Sequence, residues 1–331
     1  MARVGLALSS LEARPVDDLL RAARAADAAG IELLAVPEAW SRDAFALLGY
    51  LAARTSRIGL ATGIVNVFSR TPALIAMAAA TLDELSGGRA VLGLGVSGAR
   101  VIEAFHGVAM DRPLVRLRET TEAVRALVRR DRNGYAGELV KIAPGFLLRF
   151  TGPREAIPIF HGSLTPAGIR QAAEMADGWF PFLYGEDELH RDRVLVDEGL
   201  ARAGRTRSSF TVAPFVPVLV DEDLAAARRA VKRHLAFHVG GMGRFYHESF
   251  VRHGHARVAD RVREEWQAGR RDQAVDAIPD ELIDRLSACG PRERCRARLG
   301  ALRAAGADLP IAFLPMGASN EQSDRTIAAI S

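Results

Sequence analysis

The sequence predicts an α/β fold, a (β/α)8 TIM barrel with insertions, and three observations predict it. Eight short apolar runs alternate with helix-forming segments along the chain, which favours parallel βα units over antiparallel designs. Several joins from helix to strand reuse the same small-residue stop, in AAGIELL, SGGRAVL, MADGWF and AAGADLP. The stretch from Arg57 to Gly98 reads as strand, helix and strand, and its two apolar runs lack the polar alternation of half-wet strands. A doubly wound sheet is the rival, but no G-x-G-x-x-G follows the first strand, where VGLALSSLEA stands instead. A barrel takes up ~250 residues, which leaves roughly 80 for insertions.

The first strand is VGLAL, and a helix over 15–29 follows it, with Val16, Leu19, Leu20, Ala23 and Ala26 on one stripe and Gly30 as its stop. The second strand, in IELLAVPEAW, ends at Glu38, and a helix over 43–53 leads to the third. Thr71 and Pro72 start the next helix and Gly87 with Gly88 stops it ahead of AVLGLG, the fourth strand. After a helix over 113–130, NGYAGELVKIAPGFLLRF alternates and is broken by glycines, so a hairpin excursion is expected near 133–150. IPIFHG is the fifth strand, TPAGIRQAAEM a helix and DGWFPFL the sixth strand. A helix over 186–203, the strand FTVAPFVPVLV, a helix over 223–238, the strand LPIAFLPM and a last helix over 320–330 complete the count. A polar helical insertion near 239–290 takes up the remainder, so 1–331 is expected to be one domain.

Composition excludes several classes. With 49% hydrophobic and 25% charged residues the chain is expected to fold, not to be disordered. MARVGLALSS is too short for a signal peptide and no apolar run reaches ~18 residues, so a cytoplasmic protein without a membrane span is expected. The net charge of +4 sits on arginines scattered along helices, such as Arg21, Arg24, Arg125, Arg129, Arg130, Arg228 and Arg229. They are spaced by acids and alanines, as on solvated helix faces, so nucleic acid is not an expected partner. Cys289 and Cys295 lie in an arginine-rich helical segment without further metal-type ligands, so neither a disulfide nor structural zinc is expected. His234 and His238 stand four apart, a metal-capable spacing, yet no H-E-x-x-H accompanies them; a solvated or structural pair is expected, and no metal site.

Barrel chemistry lies at the carboxyl ends of the strands. Those ends hold Ser9 and Ser10, Glu38 to Trp40, Thr62 to Asn66, Gly95 to Gly98, His161 to Leu164, Phe182 to Tyr184, and Leu314 to Gly317. His161, Gly162, Ser163, Leu164 and Thr165 run into a helix starting at Pro166, where free amides can take a phosphate or, equally, the hydroxyls can simply cap the helix. Gly95 to Gly98 allow close backbone approach to a ligand or merely a tight turn. Glu38 among apolar neighbours is either a binding or proton-relaying carboxylate or a surface-loop acid. Gly240, Gly241 and Gly243 form a lid hinge or end a helix.

The stretch TGIVNVFSRTPALIAMAAATLDELSGGRAVLGLGVSG resembles the hallmark region of the luciferase-like barrel superfamily, in particular its deazaflavin (coenzyme F420) dependent oxidoreductases similar to methylenetetrahydromethanopterin reductase. IPIFHGSLTPAGIRQAAEMADGWF resembles the phosphate-loop segment of that family, and HVGGMGRFYHESFVRHG with DAIPDELIDRLSACGPRERCRARL its carboxyl-terminal insertion and closing helix. The resemblance implies hydride transfer between the deazaflavin C5 and a small organic substrate, a C=N, C=C or C=O bond or an alcohol. Reduced-FMN monooxygenation and a flavin-binding protein without turnover are the alternatives. It places a non-proline cis peptide at Gly63 and Ile64, behind the ring, and assigns Thr62, Val65, Asn66, Gly95, Val96, Ser97 and the 161–165 segment to the cofactor. Glu38, His106 or His161 are then candidates to carry the proton, and Ala39, Trp40 and Phe182 to wall the substrate. Ala39 and Val96 stand where the sugar-phosphate dehydrogenase branch carries a histidine and an acid, so sugar phosphates are not expected substrates. The expected assembly is a homodimer or higher homo-oligomer.

Overall fold

The computed structural model describes residues 3–8 and 14–331; Ser9 and Ser10 lie outside the described residues. Its barrel strands are β1 (Gly5–Ala7), β2 (Leu33–Val36), β3 (Gly59–Thr62), β4 (Ala90–Gly95), β5 (Ile159–Gly162), β6 (Gly178–Trp179), β7 (Phe215–Val220) and β8 (Ile311–Phe313). Each of the eight predicted apolar runs supplies one of them. Parallel pairing runs from β1 through β6 and, in the other direction, from β1 to β8 to β7. The seam closes because Thr211–Val212, two residues before β7, pairs with β6, and Phe182 bridges Phe215.

Alternation within the strands divides two cores. Leu6, Leu34 and Leu60 face the helices, whereas Ala7, Ala35 and Ala61 face the barrel axis. Those three alanines leave room for Phe160, Phe180, Phe215 and Phe313, which fill the interior from the remaining strands.

Helices α1 (Val16–Ala28), α2 (Ala44–Ala52), α3 (Pro72–Ser86), α4 (Pro113–Val128), α5 (Pro166–Met175) and α6 (Glu186–Arg202) cover the first part of the barrel. The ends of α3 follow the sequence signals: the Thr71 hydroxyl accepts from the Leu74 amide at 3.2 Å, Pro72 opens the first turn, and Gly87 at φ 66° stops it. Between α4 and β5, Tyr135–Ala136 pairs antiparallel with Lys141–Ile142.

Between β7 and β8 lie α7 (Leu224–Gly241), α8 (Arg244–Arg252), α9 (Ala256–Gln267), α10 (Arg271–Asp276), α11 (Asp280–Leu286) and α12 (Arg292–Ala304); α13 (Asn320–Ile330) ends the fold. The insertion packs a core of its own around Leu235, Val239, Phe250, Val262 and Ile283. Gly240 and Gly241 belong to α7, where an added Cβ would come within 2.5 Å and 2.9 Å of Trp266, so they serve helix packing and not a hinge. Gly243, at φ 109°, turns the chain into α8. Ala288–Gly290 is a further strand, parallel to the end of β7. Cys289 therefore sits in a strand and not in a helix, and both cysteines are buried free thiols.

Candidate active site

A cavity of about 360 Å³ opens at the carboxyl ends of the strands. A second, about 570 Å³, lies at the opposite end against Pro158 and Ile159. Two of its cations are engaged: Arg125 pairs with Asp177 at 2.9 Å and Arg205 holds the Ala173 and Ala176 carbonyls.

The floor of the first cavity is built at the end of β3. The Gly63–Ile64 peptide is cis. Gly63 lets the chain pass close to the interior wall, since a Cβ there would sit 3.0 Å from both Ala35 Cβ and Phe215 Cζ. The Ile64 side chain then lies across two glycines: Cβ atoms on Gly95 and Gly162 would meet it at 2.9 Å and 3.1 Å. An apolar side chain thereby projects into the cavity from a seat that only glycines leave open.

Beside this floor is the β5–α5 loop. The Thr165 hydroxyl caps α5 by accepting from Gly168 N at 3.2 Å, while the amides of Ser163, Leu164, Thr165 and Ala167 have no hydrogen-bond partner among the described residues. Two side chains fix how the loop faces. Trp179 Nε1 donates to the Ser163 carbonyl at 2.8 Å and Arg252 Nη2 to the Leu164 carbonyl at 3.0 Å. In a trans peptide the carbonyl and the next N–H point opposite ways, so these bonds turn the Leu164 and Thr165 amides away from Trp179 and Arg252. The N-terminus of α5 adds partial positive charge to those free donors, which suits an anion. Arg252 is itself held by Asp192, which also accepts from the Tyr184 hydroxyl at 2.6 Å and faces His253 Nε2 at 3.1 Å. Burial pushes the Asp192 carboxyl up, but His253, Arg252 and Tyr184 outweigh that and bring its pKa down to about 2.

The far wall is aromatic: Phe180, Phe182, Phe215 and Phe313 from the barrel, Phe245 and Tyr246 from α8. His238 of α7 joins them, its ring 4.7 Å from Phe182 and 5.1 Å from Tyr246. Burial brings the His238 pKa down to about 4 and pushes Tyr246 up to about 12.

Of the residues expected at the site, Glu38, Ala39, Gly63, Ile64, Val96, Ser97, Gly162, Ser163, Leu164, Thr165 and Phe182 line this cavity. Glu38 is engaged there: the Arg70 guanidinium binds both its oxygens and Oε2 accepts from Ala44 N at 2.8 Å, which anchors the start of α2. Others point elsewhere. Thr62 Oγ1 exchanges two 2.8 Å bonds with the Gly93 backbone. Val65 is buried in a short pairing with β4, and Asn66 caps its own turn through the amides of Phe68 and Ser69. Gly95 lies beneath Ile64. His161 faces α4, with Nε2 2.9 Å from Thr121 Oγ1, and burial takes its pKa down to about 3. His106 follows the π-helical turn Arg100–Phe105, stacks edge-on with Phe105 and is outside the cavity lining. Trp40 packs against Phe237 and under Arg100 instead of lining the cavity. Sequence reasoning missed Trp179, Arg252 and Tyr246, and set His238 aside.

A closed (β/α)8 barrel with an apolar, aromatic-walled cavity and a row of free amides at its strand ends has the architecture of a barrel enzyme whose site lies at the carboxyl ends of the strands. The chain belongs to the family of luciferase-like monooxygenases, whose family model matches residues 2–309, and it is an enzyme of the oxidoreductase class. It is 33% identical over 350 residues, covering 99% of this chain and 98% of the relative, to a Mycobacterium tuberculosis protein that carries a provisional name as a coenzyme F420-dependent oxidoreductase. It is 32% identical to 5,10-methylenetetrahydromethanopterin reductase of Archaeoglobus fulgidus, covering 87% of this chain and 86% of the relative. In fold it matches the coenzyme F420 dependent tetrahydromethanopterin reductase of Methanopyrus kandleri with a TM-score of 0.85 at 22% identity, over 99% of this chain and 97% of the other. Among the described residues no helix is long and apolar enough to cross a membrane.

Proposed function

We propose that the chain is a coenzyme F420-dependent oxidoreductase that moves hydride between the deazaflavin C5 and a small organic substrate. The observation that carries this reading is the pairing of two features in one cavity: the projecting Ile64 floor and the unpartnered amides of the 163–167 segment. A flat tricycle needs an apolar backstop on one face, and its phosphate-bearing tail needs fixed donors; the residues present offer both. The names of the relatives support the choice of cofactor.

When bound, the deazaflavin supplies a two-electron hydride carrier. The chain does the positioning. Ile64 would back the ring, the amides of Ser163, Leu164, Thr165 and Ala167 would take the phosphate, and the phenylalanine wall would exclude water from the cavity. Glu38, already paired with Arg70, is assigned to holding the cavity edge and not to delivering a proton.

Titration of the purified chain with F420 and with FMN, followed by quenching of cofactor fluorescence, tests the proposal. Saturable F420 binding, and hydride exchange from the reduced cofactor, are expected. Preferential binding of FMN with oxygen consumption would assign the chain to the monooxygenases, and binding of neither would overturn the cavity assignment.

A further inference from the structure

We propose that His238 and Tyr246 form a two-point receptor for a hydroxyl group, so that the cavity takes an uncharged, ring-bearing alcohol or the carbonyl compound paired with it. This rests on the hydride-transfer reading above and names the substrate class of that site.

His238 Nδ1 lies 2.9 Å from the His234 carbonyl, one turn back on α7. A carbonyl only accepts, so Nδ1 carries the proton and Nε2 is left with its lone pair. Nε2 has no partner, and it is not among the sealed unpartnered atoms that include both ring nitrogens of the neighbouring His234. His238 is 4% exposed and lines the cavity, so that lone pair opens onto it. Tyr246 lines the same cavity and its hydroxyl has no hydrogen-bond partner among the described residues; its ring stands 5.1 Å from that of His238, at 76° to it. One open acceptor and one open donor are thus carried by neighbouring rings in a wall of phenylalanines.

The rings facing His238 are His234, Phe182, Phe237 and Tyr246, with no carboxylate among them. Burial keeps the imidazole neutral at physiological pH, so it accepts and does not supply charge. An alcohol oxygen satisfies both groups at once, giving its proton to Nε2 and accepting from Tyr246. A carbonyl uses Tyr246 alone. A carboxylate would face a lone pair, and an ammonium would find Glu38 already taken by Arg70 and Arg244 cationic at the rim.

Oxidation of such an alcohol breaks its O–H and carbinol C–H bonds and makes the C=O double bond. The proton passes to His238 Nε2, and the hydride leaves with both electrons to the oxidised deazaflavin of the proposed reaction. Carbonyl reduction is the reverse.

The test is equilibrium binding of 1-phenylethanol, acetophenone, ethylbenzene and the methyl ether of 1-phenylethanol to the full chain, with and without F420, by ligand-detected NMR. The alcohol is expected to bind about tenfold more tightly than ethylbenzene, the usual worth of a neutral hydrogen bond. Tyr246→Phe should weaken alcohol and ketone alike. His238→Phe should weaken the alcohol alone, and His238→Gln, which keeps an acceptor, should restore part of the loss. Ethylbenzene affinity, unchanged throughout, reports an intact cavity. If His238→Phe does not fold, the methyl ether gives the same reading on the unmodified chain, by losing the alcohol's advantage at Nε2. An alcohol that binds no better than ethylbenzene, or a His238→Phe loss shared by all four probes, overturns the receptor. Alcohol selectivity in a chain that binds no F420 overturns the hydride reading and leaves the receptor standing.

Discussion

Replacing Arg252 with methionine is expected to cost about 3 kcal/mol of stability and, separately, to loosen the anion loop. The Arg252 side chain is three-quarters buried and its partner Asp192 almost wholly so, at 25% and 3% exposure. Truncation leaves the carboxylate with the Tyr184 hydroxyl at 2.6 Å and His253 at 3.1 Å but without its guanidinium. Removing one partner of a buried pair costs about 3 to 5 kcal/mol, and two surviving contacts place this case at the lower end. The carboxyl itself gives a second figure: bringing its pKa from 3.8 to about 2 makes the ionised cluster worth about 2 kcal/mol. Because the folded value is the lower one, that stability is present above about pH 4 and is lost as pH falls towards 2. Urea unfolding at pH 7 of the unmodified chain, Arg252→Met, Asp192→Asn and the double variant closes the cycle. A coupling of at least about 1 kcal/mol is expected, since the double variant no longer buries an uncompensated charge. Additive losses, or an Arg252→Met cost below about 1 kcal/mol, would refute the reasoning. The Leu164 carbonyl also loses its 3.0 Å donor, so F420 affinity should fall about tenfold in the folded variant.

Three further outcomes are expected. In Gly162→Val the new side chain meets Ile64, 3.1 Å from the Cβ position, so the floor and not the phosphate is crowded; F420 affinity should drop at least about tenfold in a fluorescence titration while the melting curve stays cooperative. Thr62→Val strips two buried bonds from Gly93 and should cost about 2 to 3 kcal/mol in urea without touching cofactor affinity, because the hydroxyl faces β4 and not the cavity. His161, His234 and His238 are all held neutral by burial, at about 3, well below the ordinary value, and about 4. The unfolded chain binds their protons first, so stability is full above about pH 6.5 and falls below it by about 1.4 kcal/mol per pH unit for each histidine. His234→Leu, which removes two unpartnered nitrogens, should lower that slope by one histidine's share, about 1.4 kcal/mol per pH unit; an unchanged slope would count against it.

The barrel was legible because its strands are wet on neither face, and an apolar run without alternation has few other uses. What the same runs conceal is which neighbour faces inward. In IPIFHG, Phe160 fills the barrel and His161 meets Thr121 of α4, so a histidine at a strand end pointed away from the chemistry. Thr62 and Gly63 divide in the same way. Glu38 was legible as an unusual acid but not as a paired one, since Arg70 lies 32 positions on. The Arg252 contact to Leu164 spans 88 positions and leaves no local trace. His238 is different, for a signal existed: Ala227, Val231, His234, Leu235 and His238 form one buried stripe of α7, so helical periodicity already placed both histidines inside.

That stripe also marks the division of the cavity into two halves. Ile64, Gly95 and Gly162 belong to the barrel, whereas His238, Phe245 and Tyr246 come from α7 and α8, whose core is a second cluster that meets the barrel at Leu219 of β7 and at Phe182. The two halves of the cavity meet at few polar links, among them Arg252 to the Leu164 carbonyl and Arg100 to the Gly241 carbonyl at 2.7 Å. Substitutions at Phe245 or Tyr246 therefore alter the aromatic wall of the cavity without disturbing the seat of Ile64. Substitutions at Arg252 reach both halves at once, because one guanidinium ties α8 to the loop of unpartnered amides ahead of α5.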